Sequence, residues 1–179
     1  MVFRWDMKNI FRTVVCTCLL SLFCGAVHCA REEKVHKVEV HVSFYCYRVN
    51  GSRPPEILLL KRGNNRQIAP GKWECGGGQV RDNESFETAV NRQLYEETGL
   101  RASHWRPVDC YEIKLSDGTV LPGLSFSCRA QPDYDVKIDP REHTEYKWAT
   151  LDDLSDIDFV SPKMKQIIAR LLIAQGRTW

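Results

Sequence analysis

The segment GGGQVRDNESFETAVNRQLYEETGL, residues 76–100, constrains the fold of this chain more than any other stretch. A glycine run opens it, and its second half carries apolar residues at helical spacing: Phe86, Ala89, Val90 and Leu94. Asp82 and Asn83 are candidate caps at its start, and Gly99 closes it. The pattern predicts a helix over Glu84–Thr98 with one side packed on a core.

Three polar residues of this helix fall on or beside its apolar side: Gln93, Glu96 and Glu97. On a helical wheel, Glu97 lies within about 20° of Val90. A buried carboxylate is costly unless it is paired or binds a metal ion, and carboxylate oxygens suit Mg²⁺ or Mn²⁺ better than zinc. The alternative is that Glu96 and Glu97 only solvate the last helical turn, with Glu96 paired to Arg92 one turn back.

The rest of the chain predicts one mixed sheet covered by helices. Alternation in KVEVHVSFYCYRV predicts a half-buried strand over Lys37–Val49, and EILLLKR predicts a more fully buried strand. A hairpin with the turn SDGT follows the acidic helix. A short strand over Tyr146–Ala149 comes next, and two helices begin at Leu151 and Pro162. This order of elements predicts a single α/β domain.

The spacing of residues in the opening segment matches a longer signature. In it, a glycine and a glutamate are separated by five residues, and seven more precede Arg-Glu-apolar-x-Glu-Glu-x-Gly-apolar. Eight of its positions are filled here: Gly78, Glu84, Arg92, Leu94, Glu96, Glu97, Gly99 and Leu100. This resembles the Nudix box, with Gln93 in place of a glutamate. PGKWECGGG and EHTEYKWATLDDL resemble the segments before and after the box, so the resemblance covers roughly Val38–Leu172.

This resemblance implies an α/β fold, the Nudix-type α/β/α sandwich with a mixed β-sheet. It implies hydrolysis of a nucleoside diphosphate linked to another moiety, with Mg²⁺ or Mn²⁺ as the cofactor. Carried over by position, the metal ligands are Glu96, Glu97 and Gly78, and Arg92 orients a glutamate, with Glu84 supporting the site. The implied partner is a small-molecule phosphoanhydride substrate.

Gln93 is the departure from the box. Glutamine can offer a carbonyl oxygen to a metal ion, but it cannot take a proton at neutral pH. Removing a general base costs about 10²–10⁴-fold in rate, so we expect weaker metal sites and a slower or rerouted reaction. His143 or Glu145 in the late segment can supply the missing function. A histidine serves as the base there in the branch resembling GDP-mannose mannosyl hydrolases, whereas the alternative makes His143 an ordinary loop residue.

The candidate substrate contacts are four residues near the box: Gly77, Gly78, Arg62 and Trp73. The glycines let the backbone come close to the helix and its ions, and Arg62, like Arg66, can meet phosphate. Trp73 can stack on a base, as can Tyr111 and Tyr146. In the alternative, the arginines are solvated on the surface and the aromatic residues belong to the core.

Three functions stay open at this point. The first is a divalent-metal-dependent Nudix pyrophosphohydrolase attenuated by Gln93. The second is a catalytically impaired module that keeps the fold and binds a nucleotide-like ligand. The third is a nucleotide-sugar glycosyl hydrolase that uses His143. The sequence does not predict the oligomeric state.

The first thirty residues predict a cleaved signal peptide, which leaves residues 31–179 as the Nudix domain. Arg4, Lys8 and Arg12 precede the apolar run TVVCTCLLSLFCGAV, and the chain then turns charged in HCAREEK. The run is short for a bilayer span of about 20 residues, so no stable membrane span is expected after cleavage. We expect secretion or export to the periplasm; the alternative is a protein tethered to the membrane by an uncleaved leader.

Removal of the leader changes both the charge and the cysteine content. The remaining chain carries nearly balanced charge, so no generic nucleic-acid-binding surface is indicated. Four cysteines remain: Cys46, Cys75, Cys110 and Cys128. They predict either disulfide bridges in an oxidising compartment or free, mostly buried thiols.

Overall fold

The structure, a computed structural model, describes residues 38–176. The predicted signal peptide, residues 1–30, lies outside the described residues. Within residues 38–176, no helix is long and apolar enough to cross a membrane.

Seven strands and three helical segments make up the described chain. The strands are β1 (His41–Arg48), β2 (Glu56–Arg62), β3 (Trp73–Glu74), β4 (Gly77–Gln79), β5 (Ala102–Lys114), β6 (Val120–Ala130) and β7 (His143–Ala149). The helices are α1 (Phe86–Thr98), a 3₁₀ helix (Asp152–Asp156) and α2 (Pro162–Gly176). The strand predicted from EILLLKR coincides with β2, whereas β7 begins three residues before the predicted start at Tyr146.

The strands form one mixed sheet in the order β3-β2-β1-β6-β5, with β4 also paired to β1 and β7 to β2. β1 and β6 run parallel, and the other pairs are antiparallel. The hairpin predicted after the helix is the β5–β6 pair. The predicted mixed sheet is therefore confirmed.

Successive residues of the central strands face opposite sides of the sheet, as a period of two requires. Val42, Phe44, Leu58 and Leu60 pack on one side against residues of α1: Ala89, Val90 and Leu94. Tyr45, Ile57 and Leu59 pack on the other side against residues of α2: Ile167, Ile168 and Leu172. This three-layer arrangement confirms the predicted α/β/α sandwich.

The cap at the start of α1 differs from the prediction. Ser85 is the N-cap, because its Oγ accepts a hydrogen bond from the Thr88 N–H at 3.1 Å. Asp82 and Asn83, the predicted candidates, precede it by three and two residues, respectively. At the other end Gly99 has φ 70°, and its N–H donates to the Tyr95 carbonyl as the C-cap pattern predicts.

The four cysteines of the described chain are all free thiols. Cys46, Cys75 and Cys128 are buried, and Cys110 is exposed on β5. Of the two alternatives drawn from the sequence, free and mostly buried thiols describe the structure.

Candidate active site

Arg92 organises the outer side of the α1 helix. Its Nε and Nη2 donate to the two oxygens of Glu84 at 2.8 and 2.7 Å, in a fork geometry that fixes both groups. Nη1 donates to Glu96 Oε2 at 3.0 Å, and Nη2 also reaches the Gln79 carbonyl. The Arg92 hydrogen bonds lower the pKa of Glu84 to about 2. The arginine thus links α1 to the loop before it and to β4.

Glu96 lies at the surface, held between two arginines. Its side chain is 45% exposed. Arg81 Nη2 donates to Oε1 at 3.1 Å, and Arg92 Nη1 donates to Oε2. Two guanidinium groups therefore fix the carboxylate of Glu96 at the outer edge of the helix.

Glu97 is buried, with only 2% of the residue exposed. Oε1 accepts a hydrogen bond from the Gly77 N–H at 2.9 Å, whereas the buried Oε2 has no hydrogen-bond partner. Burial raises the pKa of Glu97 well above its usual range, and the Gly77 hydrogen bond offsets part of this rise. A buried carboxylate with an unpaired oxygen is costly, so this group requires a functional explanation.

The glycine turn packs directly against the side chains of the helix. Gly76 has φ 83°, and a Cβ on it would lie 2.5 Å from Glu97 Oε2. Gly77 has φ 146°, and a Cβ there would meet the Val42 carbonyl at 2.2 Å. A Cβ on Gly78 would lie 2.2 Å from Gln93 Nε2, so the Gln93 amide lies over this glycine. Gly76 and Gly77 therefore exclude a side chain, whereas a side chain at Gly78 would displace the Gln93 amide.

His143 is the first residue of β7 and is 2% exposed. Its Nε2 lies 3.2 Å from Glu74 Oε1 and 3.8 Å from Glu97 Oε2. Arg62 Nη1 donates to the same Glu74 oxygen at 2.6 Å. Burial alone would raise the pKa of Glu74, but the His143 hydrogen bond and Arg62 outweigh it and lower that pKa. The histidine predicted in the late segment is thus brought beside Glu97.

A β-bulge between β2 and β7 separates two of the predicted catalytic residues. Arg62 pairs with His143 and Lys61 with Glu145, so Thr144 is the extra residue. His143 and Glu145 consequently point to opposite faces of the sheet. Glu145 is exposed and accepts a hydrogen bond from Lys61 Nζ at 2.7 Å. Its catalytic part stays a prediction.

Trp73 faces the same side as Lys61 and Glu145. It packs against the α2 side of the core, and Lys61 Nζ lies 5.8 Å from its ring centroid. This is the packing that the core alternative for Trp73 describes. Its use as a substrate contact stays a prediction.

A cavity of about 750 Å³ opens beside the glycine turn. Residues of three strands form its floor: His41, Ser43, Tyr45, Tyr111 and Ser125. Charged residues and glycines next to the box line its rim: Arg62, Arg66, Glu74, Gly76, Gly77 and Glu142. The cavity therefore brings Arg62 and Gly77, both predicted substrate contacts, to one surface.

The floor of this cavity is polar and uncharged. The Tyr111 hydroxyl is hydrogen-bonded to His41 Nδ1 at 2.6 Å, and the Ser43 and Ser125 hydroxyls are 2.8 Å apart. The Tyr111 ring fills the space that Gly123 leaves, since a Cβ there would lie 2.4 Å from it. Burial lowers the pKa of His41 and raises that of Tyr111 to about 12, so both groups are neutral at pH 7.

Residues 39–171 match the family model of the NUDIX domain. The chain belongs to this family. The predicted Nudix membership is therefore confirmed. Nucleoside triphosphatase NudI of Escherichia coli is 32% identical over 111 residues, which cover 56% of this chain and 77% of that protein. NAD-capped RNA hydrolase NUDT12 of Homo sapiens is 24% identical over 103 residues, 58% of this chain but 21% of its own length. The Nudix chain thus spans about a fifth of NUDT12.

Solved structures share the Nudix fold. A Caenorhabditis elegans Ap4A hydrolase binary complex superposes with a TM-score of 0.62 at 20% identity, over 78% of this chain and 99% of that one. The NUDIX domain of Shewanella oneidensis NrtR, complexed with ADP ribose, has a TM-score of 0.63 at 18% identity. It covers 83% of this chain and 95% of its own. At these identities the likeness shows the fold.

The oxygen donors of the Nudix helix suit a hard cation. Among residues 38–176, no group of three or more His, Cys, Asp or Glu residues is arranged to hold a metal ion. The donors predicted from the sequence are the carboxylates of Glu96 and Glu97 with neutral oxygens of Gln93 and Gly78, and their part as metal ligands stays a prediction. The unpaired Oε2 of Glu97 is a buried anionic oxygen that a divalent cation would satisfy. The donor set thus fits Mg²⁺ or Mn²⁺ and not a soft metal.

Sequence reasoning missed three residues of this Nudix site: His41, Ser43 and Glu74. His41 and Ser43 occupy the polar positions of the alternating strand β1, a signal that was present in the sequence. Glu74 follows Trp73 and has no pattern of its own. Its part is visible only once β2 lies between β3 and β7.

Proposed function

We propose that this Nudix chain hydrolyses a small phosphoanhydride in which a nucleoside diphosphate is linked to another moiety, with Mg²⁺ or Mn²⁺ as cofactor. The observation that carries the proposal is the buried Glu97 carboxylate. It has one oxygen fixed by the Gly77 N–H and one oxygen unpaired. It lies against Gly76 and Gly77, two glycines that also line a cavity of about 750 Å³.

Glu97 and Glu96, together with the oxygens of Gln93 and Gly78, are the residues that would hold the cation. When bound, the cation neutralises charge on the phosphates and lowers the pKa of water. Arg92 fixes Glu96 and Glu84 in the correct orientation, so fewer side chains must order when substrate binds. The helix thus holds the side-chain oxygens of the proposed cation site in fixed positions.

The two parts of the cavity suit the two ends of such a substrate. Arg62 and Arg66 line the side near the glycine turn and favour the phosphates. His41, Ser43 and Tyr111 supply neutral hydrogen-bonding groups for the nucleoside or the linked moiety. Two relatives, a nucleoside triphosphatase and an NAD-capped RNA hydrolase, also act on nucleoside phosphates, as their names say.

We propose further that Gln93 attenuates the reaction. Its amide lies over Gly78, where a carboxylate of the same shape would add a negative charge and a proton acceptor. Gln93→Glu is therefore expected to raise kcat by up to about 10²-fold. Because glutamine and glutamate are nearly isosteric, the change is expected to leave the fold intact. Equal rates would mean that Gln93 is not the limiting group.

The decisive experiment assays the purified protein on nucleotide sugars, dinucleoside polyphosphates, ADP-ribose and nucleoside triphosphates. Each substrate is tested with Mg²⁺, with Mn²⁺ and with a chelator, for the wild type, Gln93→Glu and Glu97→Gln. We expect turnover that requires the cation and is lost in Glu97→Gln. If neither the wild type nor Gln93→Glu shows cation-dependent turnover on any substrate, the hydrolase proposal is wrong.

A catalytically impaired binding module is the second candidate, and Gln93 is the observation that favours it. It predicts ligand binding in calorimetry without product, in the wild type and in Gln93→Glu alike. A nucleotide-sugar glycosyl hydrolase that uses His143 predicts loss of activity in His143→Ala and entry of solvent oxygen into the sugar. The burial of His143 and its bond to Glu74 favour a supporting part for this residue over direct attack.

We also propose export through the N-terminal leader, to the exterior or the periplasm. This proposal rests on the sequence of residues 1–30. Mass spectrometry of the native protein is expected to find a new N-terminus after Ala26 or Cys29. An intact N-terminus on a membrane-bound protein would instead support the tethered alternative.

A further inference from the structure

Glu97 and His143 are neighbours, and each has a buried side-chain atom without a hydrogen-bond partner. Among residues 38–176, the buried side-chain atoms without a hydrogen-bond partner are Glu97 Oε2, His143 Nδ1 and Trp148 Nε1. Glu97 Oε2 lies 3.8 Å from the other ring nitrogen of His143, Nε2. The His143 ring therefore borders the carboxylate that the proposed function places at the centre of the site.

The orientation of the His143 ring is set by Glu74. A carboxylate only accepts hydrogen bonds, so Nε2 donates to Glu74 Oε1 across 3.2 Å. Glu74 in turn is fixed by Arg62 Nη1 at 2.6 Å, and Arg62 Nε donates to the Ile68 carbonyl at 2.7 Å. A continuous series of hydrogen bonds thus runs from the cavity rim through Glu74 to His143, whose Nε2 lies beside Glu97 Oε2 at 3.8 Å without a hydrogen bond.

The backbone is arranged to make this series possible. The bulge at Thr144 puts His143 opposite Arg62, on the face that Glu74 also occupies. Glu74 has a side chain 16% exposed and His143 one 2% exposed, so solvent has little room to replace either contact. A bulge that aims a buried side chain next to a site is a designed feature rather than a defect.

We propose that Glu74 is a positioning residue of this Nudix site, which acts through His143 to hold the Glu97 carboxylate against the Gly77 N–H. The proposal rests on the proposed function for its catalytic consequence. Its structural content is separate: without Glu74, the His143 ring loses the hydrogen bond that orients it beside Glu97. Groups that orient a metal-binding side chain commonly matter about 10–100-fold for metal affinity or activity.

The first test reads the position of Glu97 without metal or substrate. In ¹H–¹⁵N spectra of the metal-free protein, the Gly77 amide reports its hydrogen bond to Glu97 Oε1. Glu74→Ala is expected to shift this amide and to speed its hydrogen exchange by about tenfold or more. Glu74→Gln is expected to fall between Glu74→Ala and the wild type, because its carbonyl oxygen still accepts from Arg62 and His143.

A matched control lies at the other end of β2. Arg48 Nε donates to Glu56 at 2.7 Å, with side chains 20% and 21% exposed, against 14% and 16% for the Arg62–Glu74 pair. Glu56→Gln removes a charge from an equally short arginine pair of similar burial. It is expected to leave the Gly77 amide unchanged, which separates a local positioning effect from general loosening of the sheet.

The second test measures Mn²⁺ binding by electron paramagnetic resonance and then kcat and KM. Glu74→Ala is expected to weaken Mn²⁺ binding and lower kcat, each by about 10–100-fold, with KM within about twofold. Glu74→Gln is expected to recover part of both. A rise in KM with unchanged kcat and Mn²⁺ affinity would make Glu74 a substrate contact and overturn the proposal.

The two tests distinguish the positioning role of Glu74 from the proposed hydrolase function. If the Gly77 amide and Mn²⁺ affinity are unchanged in Glu74→Ala, the positioning role is wrong whatever the turnover. If the Gly77 amide responds but the wild type shows no cation-dependent turnover, the positioning role stands and the proposed function fails. If Glu74→Ala does not fold, the same measurements on Glu74→Gln decide the question.

Discussion

The two faces of the parallel β1–β6 pair differ completely, although they alternate along the same two strands. On the α1 side the paired residues are apolar: Val42 with Leu124, Phe44 with Phe126, and Cys46 with Cys128. On the other side the pairs are polar or lack a side chain: His41 with Gly123, Ser43 with Ser125, and Tyr45 with Ser127. The α1 face of this pair therefore belongs to the core, whereas the other face provides the floor of the cavity and, at Tyr45, part of the core under α2.

The difference shows how one strand pair can combine a stabilising face with a polar face that, in the proposed function, binds the substrate. The apolar face excludes water and makes no specific polar contacts, so its contribution to stability is proportional to the apolar area that it buries. The polar face keeps its hydrogen-bonding groups paired with one another, as in Ser43 with Ser125 and His41 with Tyr111. A ligand can exchange these bonds for its own at little cost, because no buried group needs to be left unpaired.

The largest effect is expected from breaking the apolar face. Phe44→Ala removes a ring that is fully buried against α1 and should lower the free energy of unfolding by about 3–5 kcal/mol. Ser43→Ala, one residue away on the cavity face, should cost less than about 1.5 kcal/mol. Urea unfolding of both variants measures the difference. A similar loss in the free energy of unfolding for the two variants would mean that both faces contribute equally to stability, and it would contradict the proposed difference.

Glu97 is an exception to this division of the two faces, because it places a carboxylate on the apolar side. Glu97→Gln should lower kcat by about 10²-fold or more, or about 2.7 kcal/mol in barrier height, if the carboxylate holds the cation. In metal-free protein the same change should not destabilise the fold at pH 7, because the carboxyl group that it replaces is buried with an unpaired oxygen. Loss of both activity and stability would contradict this division.

The pH dependence of this effect has a defined sign. Because the folded-state pKa of Glu97 is raised, the folded state keeps its proton at pH values where the unfolded chain has lost it. The wild type should therefore lose stability as the pH rises above about 4.3, the usual glutamate pKa. Glu97→Gln should lack this loss, so the advantage of the variant should grow with pH. Chemical unfolding of metal-free protein from pH 4 to pH 8 measures the difference.

A smaller effect is expected from filling the gap in the polar face. In Gly123→Ala the added methyl group would lie 2.4 Å from the Tyr111 ring, which must move away from His41. KM should rise about tenfold, or about 1.4 kcal/mol, while the α1 side keeps its packing. An unchanged KM would show that the Tyr111 ring position is not part of substrate binding.

The smallest effect is expected from Tyr111→Phe, which keeps the ring but removes the hydroxyl bonded to His41. One hydrogen bond is worth about 0.5–1.5 kcal/mol, so KM should rise by several-fold or less. Tyr95→Phe on the exposed side of α1 is the control for loss of a tyrosine hydroxyl. Equal effects of the two variants would remove Tyr111 from the binding surface.

The sequence predicted what depends on local spacing. The apolar alternation of β1 and the helical positions of Arg92 and Glu97 are set within one element, so their relation survives into the structure. The buried side of α1 and the closing Gly99 follow for the same reason. These parts of the fold required no knowledge of which strands pair.

The sequence could not predict what depends on pairing. The polar side of β1 looks like a solvent-exposed face until β5 places Tyr111 over Gly123 and α2 covers the rest. Glu74 becomes important only through β2 and β7. His143 was predicted in a late loop or segment, whereas the structure makes it the buried first residue of β7. The face of the sheet that His143 occupies depends on the β-bulge at Thr144, which the alternation of polar and apolar residues does not predict.

That bulge has an evolutionary consequence. Thr144 is the surplus residue of the pairing, because Lys61 faces Glu145 and Arg62 faces His143. A relative lacking one residue here would have an unbroken ladder and would still present its histidine to the same arginine position. A chain from which Thr144 is deleted is therefore expected to keep Lys61 opposite Glu145 and Arg62 opposite His143.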